Sequence, residues 1–177
     1  MILSLFNWFK GLFKPKQEKK VVCCSGGFDP IHKGHIEYLQ QAALLGDELI
    51  VILNTDKFLF EKKGYVFMPF EERLFVLENI KCVNKVVVCI DEDQSVSKTL
   101  ELIKPNIFAK GGDRNKGNIP EKFICDKLGI QIVDGLGEKI SSSSDLAQKF
   151  AETNNTLKEK KRHKTLVKKF VDKGTFF

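Results

Sequence analysis

Gly26-Gly27-Phe28-Asp29-Pro30-Ile31-His32-Lys33-Gly34-His35 is the stretch whose reading decides the fold. Immediately before it stands Val21-Val22-Cys23-Cys24-Ser25, an unbroken apolar run too short for a helix and suited to a buried strand. Immediately after it, residues 34–45 are amphipathic at helical spacing, and Gly46 ends that helix. The order is therefore strand, glycine turn, helix. Two glycines in such a turn let backbone N–H groups approach a bulky ligand. The spacing is not G-x-G-x-x-G, so a dinucleotide fingerprint is absent.

The same alternation continues along the chain. Apolar runs at 48–53, 86–90, 107–109 and 130–133 read as further strands. Between them, 69–80, 96–103 and 120–128 read as helices, and a last helix follows Ser141–Ser144 to about Ala151. The stretch from Asn54 to Pro69, rich in Lys, Phe and Gly, reads as a flexible connection. Continuous apolar strands alternating with helices predict a doubly wound α/β domain, with a mostly parallel five-stranded sheet covered on both faces. Residues 21–151 form that domain, flanked by an N-terminal segment (1–20) and a C-terminal tail (152–177). Ligands of such sheets bind beyond the C-terminal strand ends, and the informative residues fall there.

His32 and His35 stand three apart at a helix start, on one side of it, with Gly34 between them. A helix N-terminus carries partial positive charge and free N–H groups. Two imidazoles placed there suit phosphate oxygens on which negative charge develops. A phosphate nucleophile is already ionised, so the chemistry asks for positioning more than for a base. The alternatives are surface histidines or a zinc site, and no Cys or third His is placed to complete the latter.

GGFDPIHKGHIEYL resembles the signature G-x-F-D-x-x-H-x-G-H of the cytidylyltransferase-like nucleotidyltransferases. Gly26, Phe28, Asp29, His32, Gly34 and His35 meet its fixed positions, and Gly27 completes the turn. The resemblance spans roughly 21–150 and implies that the histidines bind a triphosphate. It further implies a phosphate-binding lysine in the stretch after Asn54-Thr55-Asp56, with Lys63 and Lys62 favoured. Arg73, in Pro69-Phe70-Glu71-Glu72-Arg73, corresponds to a helix arginine that reaches the active site; a structural salt bridge is its rival role. Lys110-Gly111-Gly112-Asp113 looks like the turn of heptose-1-phosphate adenylyltransferases, with Gly111 and Asp113 bordering the nucleotide. Asp113 would contact ribose or a magnesium-bound water, or simply stabilise the turn. Ser141, Ser142 and Ser143 resemble the serine/threonine run that holds the β- and γ-phosphates. One departure is Leu136-Gly137-Glu138-Lys139, where many cytidylyltransferases carry an arginine. The implied reaction is transfer of a nucleoside monophosphate from ATP or CTP, with Mg²⁺, to a sugar 1-phosphate. Glycerol-3-phosphate or other alcohol-phosphate cytidylyltransferases, coenzyme-precursor adenylyltransferases and a non-catalytic nucleotide-binding scaffold are the alternatives.

Charge restricts the partners. The net charge is +6, yet residues 1–20 carry +4 and 155–177 carry +6, which leaves −4 on 21–154. An acidic core argues against a nucleic-acid-binding module. Residues 1–14 place Ile2, Leu5, Phe6, Phe9 and Phe13 opposite Ser4, Asn7 and Gly11, with lysines following. That pattern fits a helix lying in a membrane interface, or one docked on the core or on another subunit of a homodimer. It has neither the form of a signal peptide nor the length of a membrane span. The five cysteines lack C-x-x-C spacing and read as small buried hydrophobes in a reducing, cytoplasmic setting, with membrane association left open.

Overall fold

The computed structural model describes residues 18–111, 120–137, 146 and 148–153. The expectations for residues 1–14, Asp113, Ser141, Ser142, Ser143 and the basic C-terminal tail lie outside the described residues.

The elements run β1 (Val21–Gly26), α1 (Lys33–Ala43), β2 (Glu48–Leu53), α2 (Asp56–Lys63), α3 (Phe70–Glu78), β3 (Lys85–Val88), α4 (Ser97–Ile103), β4 (Ile107–Gly111), α5 (Lys122–Leu128) and β5 (Gln131–Leu136). Residues 148–153 are helical as well, within the expected last helix. The strands pair in the order β3-β2-β1-β4-β5, and every pair is parallel. The order reverses between β1 and β4, which makes their C-terminal ends the topological switch point.

The strands are continuously apolar because alternate residues feed two separate cores. Val22, Cys24, Leu49, Val51, Leu53 and Ala109 pack on one face against Tyr38, Leu39 and Ala42 of α1 and Leu77 of α3. Cys23, Ile50, Ile52 and Phe108 pack on the other, against Val96 and Leu100 of the α4 region and Ile124 and Cys125 of α5. Four cysteines are buried, Cys82 is half-buried, and all five are free thiols. Burial pushes the Cys24 thiol up to about 12 and the Cys125 thiol up to about 11, so both remain protonated, inert packing groups.

Two asparagines close the N-terminal edge of the sheet. The Asn106 carboxamide accepts from Val21 N–H at 2.7 Å while Asn106 N–H donates to the Val21 carbonyl at 2.9 Å. Asn84 makes the same exchange with Leu49, at 2.8 and 3.0 Å.

Three details differ from the sequence reading. Residues 56–63 are helical rather than a flexible connection. Strand β3 ends at Val88 and lies at the sheet edge, with Val88 44% exposed, so it is not buried on both faces. Strand β5 extends to Leu136, with a register irregularity opposite Ala109/Gly111.

Candidate functional site

The glycine turn leaves β1 at the switch point. Phe28 stands there at φ 51°, in the left-handed region, with its ring buried. A Cβ on Gly26 would meet that ring at 3.0 Å, so a larger residue here would push the ring aside. The Phe28 ring in turn packs edge-on against His35, with centroids 5.0 Å apart. His32 caps α1 through its backbone, its carbonyl accepting from His35 N–H at 2.9 Å and Ile36 N–H at 3.3 Å. Gly34 lies between the two histidines in the first helical turn.

The imidazoles of His32 and His35 stack, with centroids 3.8 Å apart and planes at 21°. Burial, and secondarily the neighbouring His32, depress His35 to about 4; burial depresses His32 too. Both shifts favour neutral rings at pH 7, and the stack agrees with that, since two imidazolium ions at this spacing would repel. Neither Nδ1 finds a hydrogen-bond partner in the protein, although both atoms are buried. A neutral imidazole carries one N–H donor and one acceptor. The pair thus sets two imidazoles, each with one N–H, beside a helix N-terminus, which suits an anion.

Behind this turn stands a frame of charged side chains. The Lys63 ammonium donates to the Asp29 carboxylate at 2.6 Å and to the Asp29 carbonyl at 2.9 Å, and it lies 4.5 Å from the Tyr65 ring. Backbone N–H groups of Phe67 and Met68 also donate to the Asp29 carboxylate. Burial alone would raise the Asp29 carboxyl, but these bonds outweigh it and hold it below the usual carboxylate range. Arg73 is wholly buried. Its guanidinium donates to the carbonyls of Met68 (2.9 Å), Gly27 (2.7 Å) and Asn54 (2.8 Å) and to the Asp56 carboxylate. One arginine thereby fixes the glycine turn to the ends of β2 and the starts of α2 and α3.

A second concavity lies at the C-terminal ends of β1, β2 and β4, between α2 and the residues that precede α4 and α5. Ser25, Asn54, Lys62, Gln94, Lys110 and Glu121 contribute its polar lining, and Gly26, Gly27 and Gly111 its backbone. Lys110 and Glu121 are both buried and pair at 3.2 Å. Lys110 also reaches the Ser25 hydroxyl at 3.4 Å and lies over the Phe108 ring.

The structure therefore brings Gly26, Gly27, Phe28, Asp29, His32, Gly34 and His35 together, with Lys62 and Gly111 bordering the cleft next to them. Lys63 and Arg73 stand one layer back, engaged with the turn itself. Asp113 and Ser141–Ser143 are outside the described residues. Sequence reasoning passed over Gln94 and Glu121. Glu121 follows a proline just before a helix, where an acidic residue reads as an ordinary favourable dipole contact. Among the described residues no group of three or more His, Cys, Asp or Glu side chains could hold a metal ion.

A doubly wound parallel sheet, with a glycine turn and a paired-histidine helix start at its switch point, defines a nucleotide-handling α/β domain. The chain belongs to the cytidylyltransferase-like family, which matches residues 23–168 and supports a nucleotidyltransferase-type function. It is 37% identical over 124 residues to the bifunctional protein HldE of Hahella chejuensis, covering 69% of this chain and 24% of that protein. It is 35% identical over 147 residues to the bifunctional protein HldE of Helicobacter pylori strain P12, covering 81% of this chain and 30% of that one. The chain thus spans less than a third of the length of either relative. In structure it is similar to a lipopolysaccharide core biosynthesis protein from Thermoplasma volcanium, with a TM-score of 0.60, 26% identity, and coverage of 69% of this chain and all of that one.

Proposed function

We propose that this protein transfers a nucleoside monophosphate from ATP or CTP to a sugar 1-phosphate and releases pyrophosphate. The observation that carries the reading is the stacked His32/His35 pair, whose Nδ1 atoms lack a protein partner, at the helix start beside the glycine turn. A phosphate oxygen of the acceptor attacks the α-phosphorus in line. The bond from that phosphorus to the bridging oxygen breaks, and the electron pair leaves with pyrophosphate. The histidine N–H donors and the N-terminus of α1 stabilise the charge developing on the phosphates. No protein base is required, because the acceptor phosphate is already an anion.

Asp29, Lys63 and Arg73 hold the turn in the conformation that presents these donors. Lys62, which lines the cleft, is assigned a phosphate contact on the family resemblance. Ser141, Ser142 and Ser143 are assigned the β- and γ-phosphates, and Asp113 the nucleotide edge, on the family resemblance. Mg²⁺ would arrive with the nucleotide, held chiefly by its phosphates, and would neutralise their charge. The slight preference for ATP, and for a sugar 1-phosphate, rests on Lys110-Gly111-Gly112-Asp113.

The test is a pyrophosphate-release screen of ATP and CTP with Mg²⁺ against sugar 1-phosphates, glycerol 3-phosphate, phosphocholine and pantetheine phosphate. Release that depends on one sugar 1-phosphate supports the reading. Tight nucleotide binding with no release for any acceptor would identify a non-catalytic scaffold instead.

A further inference from the structure

All five strands are parallel, so every helix-to-strand connection falls at one end of the sheet and every strand-to-helix connection at the other. The histidine pair lies at the second end. The two ends carry opposite charge. Among the described residues, the strand-to-helix connections hold Asp29, Asp91, Glu92, Asp93 and Glu121 and no lysine or arginine. The other end holds Lys19, Lys20, Lys81 and Lys104 against Glu18 and Asp47, with the exposed Lys85 opening β3 beside them. The Asp47 carboxylate is already engaged, accepting from Lys20 N–H at 2.8 Å. Lys81, Lys85 and Lys104 form no ion pair with another described residue.

The N-terminal segment joins the domain at this basic end. The Lys20 carbonyl accepts from Asp47 N–H at 2.8 Å and Glu48 N–H at 3.3 Å, and a Cβ on Gly46 would meet that carbonyl at 2.5 Å. The point of entry is therefore fixed against the α1–β2 turn. Beside it stands Leu44, the C-cap of α1, which is 86% exposed. Only Lys14, Pro15, Lys16 and Gln17 separate the apolar residues of 1–13 from Glu18. At full extension they reach about 14 Å. Strands of six residues, rising about 3.3 Å each, set the two ends of the sheet about 20 Å apart. Residues 1–13 can thus meet a flat surface at the basic end, and not one lying beyond the reaction site. Exposed apolar residues elsewhere are poorly suited to an anionic surface, because acids surround them: Phe75 stands with Glu71, Glu72 and Glu78, and Ile90 with Asp91 and Glu92.

We infer that the helix-to-strand end, with Leu44 and the lysines around it, is the side this domain turns to an anionic bilayer, so that the reaction site at the opposite end opens to solution. Residues 21–154 carry −4, so the domain as a whole is not attracted. The chain ends supply the attraction, and the charge separation within the domain supplies the orientation. The acidic end, about two Debye lengths away at ordinary salt, feels little of the surface. Substrates then arrive from water and not along the lipid. A contact dominated by the basic C-terminal tail would give the reverse orientation. Residues 148–153, which precede that tail, lie at the acidic end, where Phe150 meets Phe67 edge-on at 5.8 Å.

The test uses the full chain with vesicles of phosphatidylcholine and phosphatidylserine that carry a nitroxide headgroup lipid. A nitrobenzoxadiazole label is placed on Leu44→Cys or on Glu92→Cys, each in a Cys82→Ala background, since the other four thiols are buried. The expected result is strong quenching of the label on Leu44→Cys and little on Glu92→Cys. Equal quenching at the two positions overturns the orientation, and stronger quenching on Glu92→Cys shows that the tail sets it instead. A second measurement needs no label. Co-sedimentation of the triple variant Lys81→Gln, Lys85→Gln, Lys104→Gln should fall about fivefold or more, while Lys57→Gln, Lys98→Gln, Lys122→Gln, which lowers net charge equally at the other end, should stay within about twofold of the wild type. All six lysines are exposed, so both variants are expected to fold, and circular-dichroism melts check this. Equal losses in the two variants overturn the inference, because net charge alone would then account for binding. A wild-type chain that does not sediment with these vesicles removes the bilayer as partner altogether. No readout here uses turnover, so failure of the orientation leaves the nucleotidyl-transfer reading standing, and the converse holds.

Discussion

At the scale of single residues, the same turn holds two kinds of functional group. His32 and His35 were legible from sequence because spacing and position carry their meaning: three apart, directly after strand and glycine turn. Their neutrality was not legible, since it follows from burial and from the 3.8 Å stack. His35→Ala is expected to lower kcat by about 10²–10³ with the fold intact, the cost typical of one lost oxyanion donor. Steady-state pyrophosphate release together with a circular-dichroism melt checks this, and near-normal turnover would remove the histidine from the mechanism. The depressed His35 also predicts a pH effect on stability. The unfolded chain binds a proton at its ordinary value of about 6.5, and the folded chain only near 4. Stability contributed at this site is therefore present above about pH 6.5 and lost progressively as pH falls toward 4, by about 3 kcal/mol at most. Denaturant melts between pH 4 and 7 should show that loss in the wild type and a flatter profile in His35→Gln. Arg73 was legible in kind but not in direction. A sequence match places an arginine on the right helix, but only packing shows whether its guanidinium faces substrate or backbone. Here it is wholly buried, on three carbonyls and Asp56. Arg73→Ala should destabilise the domain by about 3–5 kcal/mol, because it strips donors from several buried groups at once. Arg73→Lys should recover little, as an ammonium cannot span four separated acceptors. A melting temperature unchanged in Arg73→Ala would show that the frame is dispensable.

At the scale of elements, strand and helix order was readable because the apolar runs were long relative to their connections. The helix Asp56–Lys63 was obscured by its composition: phenylalanines and lysines without a clean apolar stripe read as a flexible stretch. Its terminal signals were nevertheless in the sequence. Thr55 caps it, accepting from Phe58 N–H at 3.2 Å, Asp56 opens it, Lys62 and Lys63 close it, and Gly64 ends it at φ 81°. The cleft residues were harder to read, because Asn54, Gln94, Lys110 and Glu121 come from four separate segments joined only by the parallel register of β1, β2 and β4. One hydrogen bond fastens the elements on either side of the switch point. The Tyr38 hydroxyl of α1 donates to the Ala109 carbonyl of β4 at 2.7 Å, fully within the core. Tyr38→Phe should cost about 1–2 kcal/mol, since it removes the donor and leaves the ring in place. In a domain of this size that lowers Tm by roughly 2–8 °C. A calorimetric scan with no change would mean that Ala109 finds another donor and that α1 is held by apolar packing alone.

At the scale of the whole molecule, charge separates the domain from its ends. The +4 on residues 1–20 and +6 on 155–177 flank a middle of −4, so attraction to an anionic surface must come from the termini. Among the described residues no helix is long and apolar enough to cross a membrane. The sequence of residues 1–14, with Ile2, Leu5, Phe6, Phe9 and Phe13 on one side of a helical projection and Lys10 and Lys14 beside them, predicts interfacial binding instead. Each lysine near an anionic bilayer contributes about 1 kcal/mol, within a Debye length of about 8–10 Å at ordinary salt. Gly11 opposes the helix by about 1 kcal/mol, less than the buried aromatic and aliphatic side chains contribute together. The full chain should therefore co-sediment with vesicles containing phosphatidylserine, and a chain beginning at Lys16 should do so at least tenfold less well. Raising salt to about 0.5 M should weaken binding of both, because the basic tail acts only through charge. Turnover in solution should be the same for the two chains, as every residue assigned to the site lies between Gly26 and Ser143. Equal sedimentation of the two chains would exclude the anchor. A change in oligomeric state by light scattering, on removal of residues 1–15, would make the apolar side a subunit contact instead.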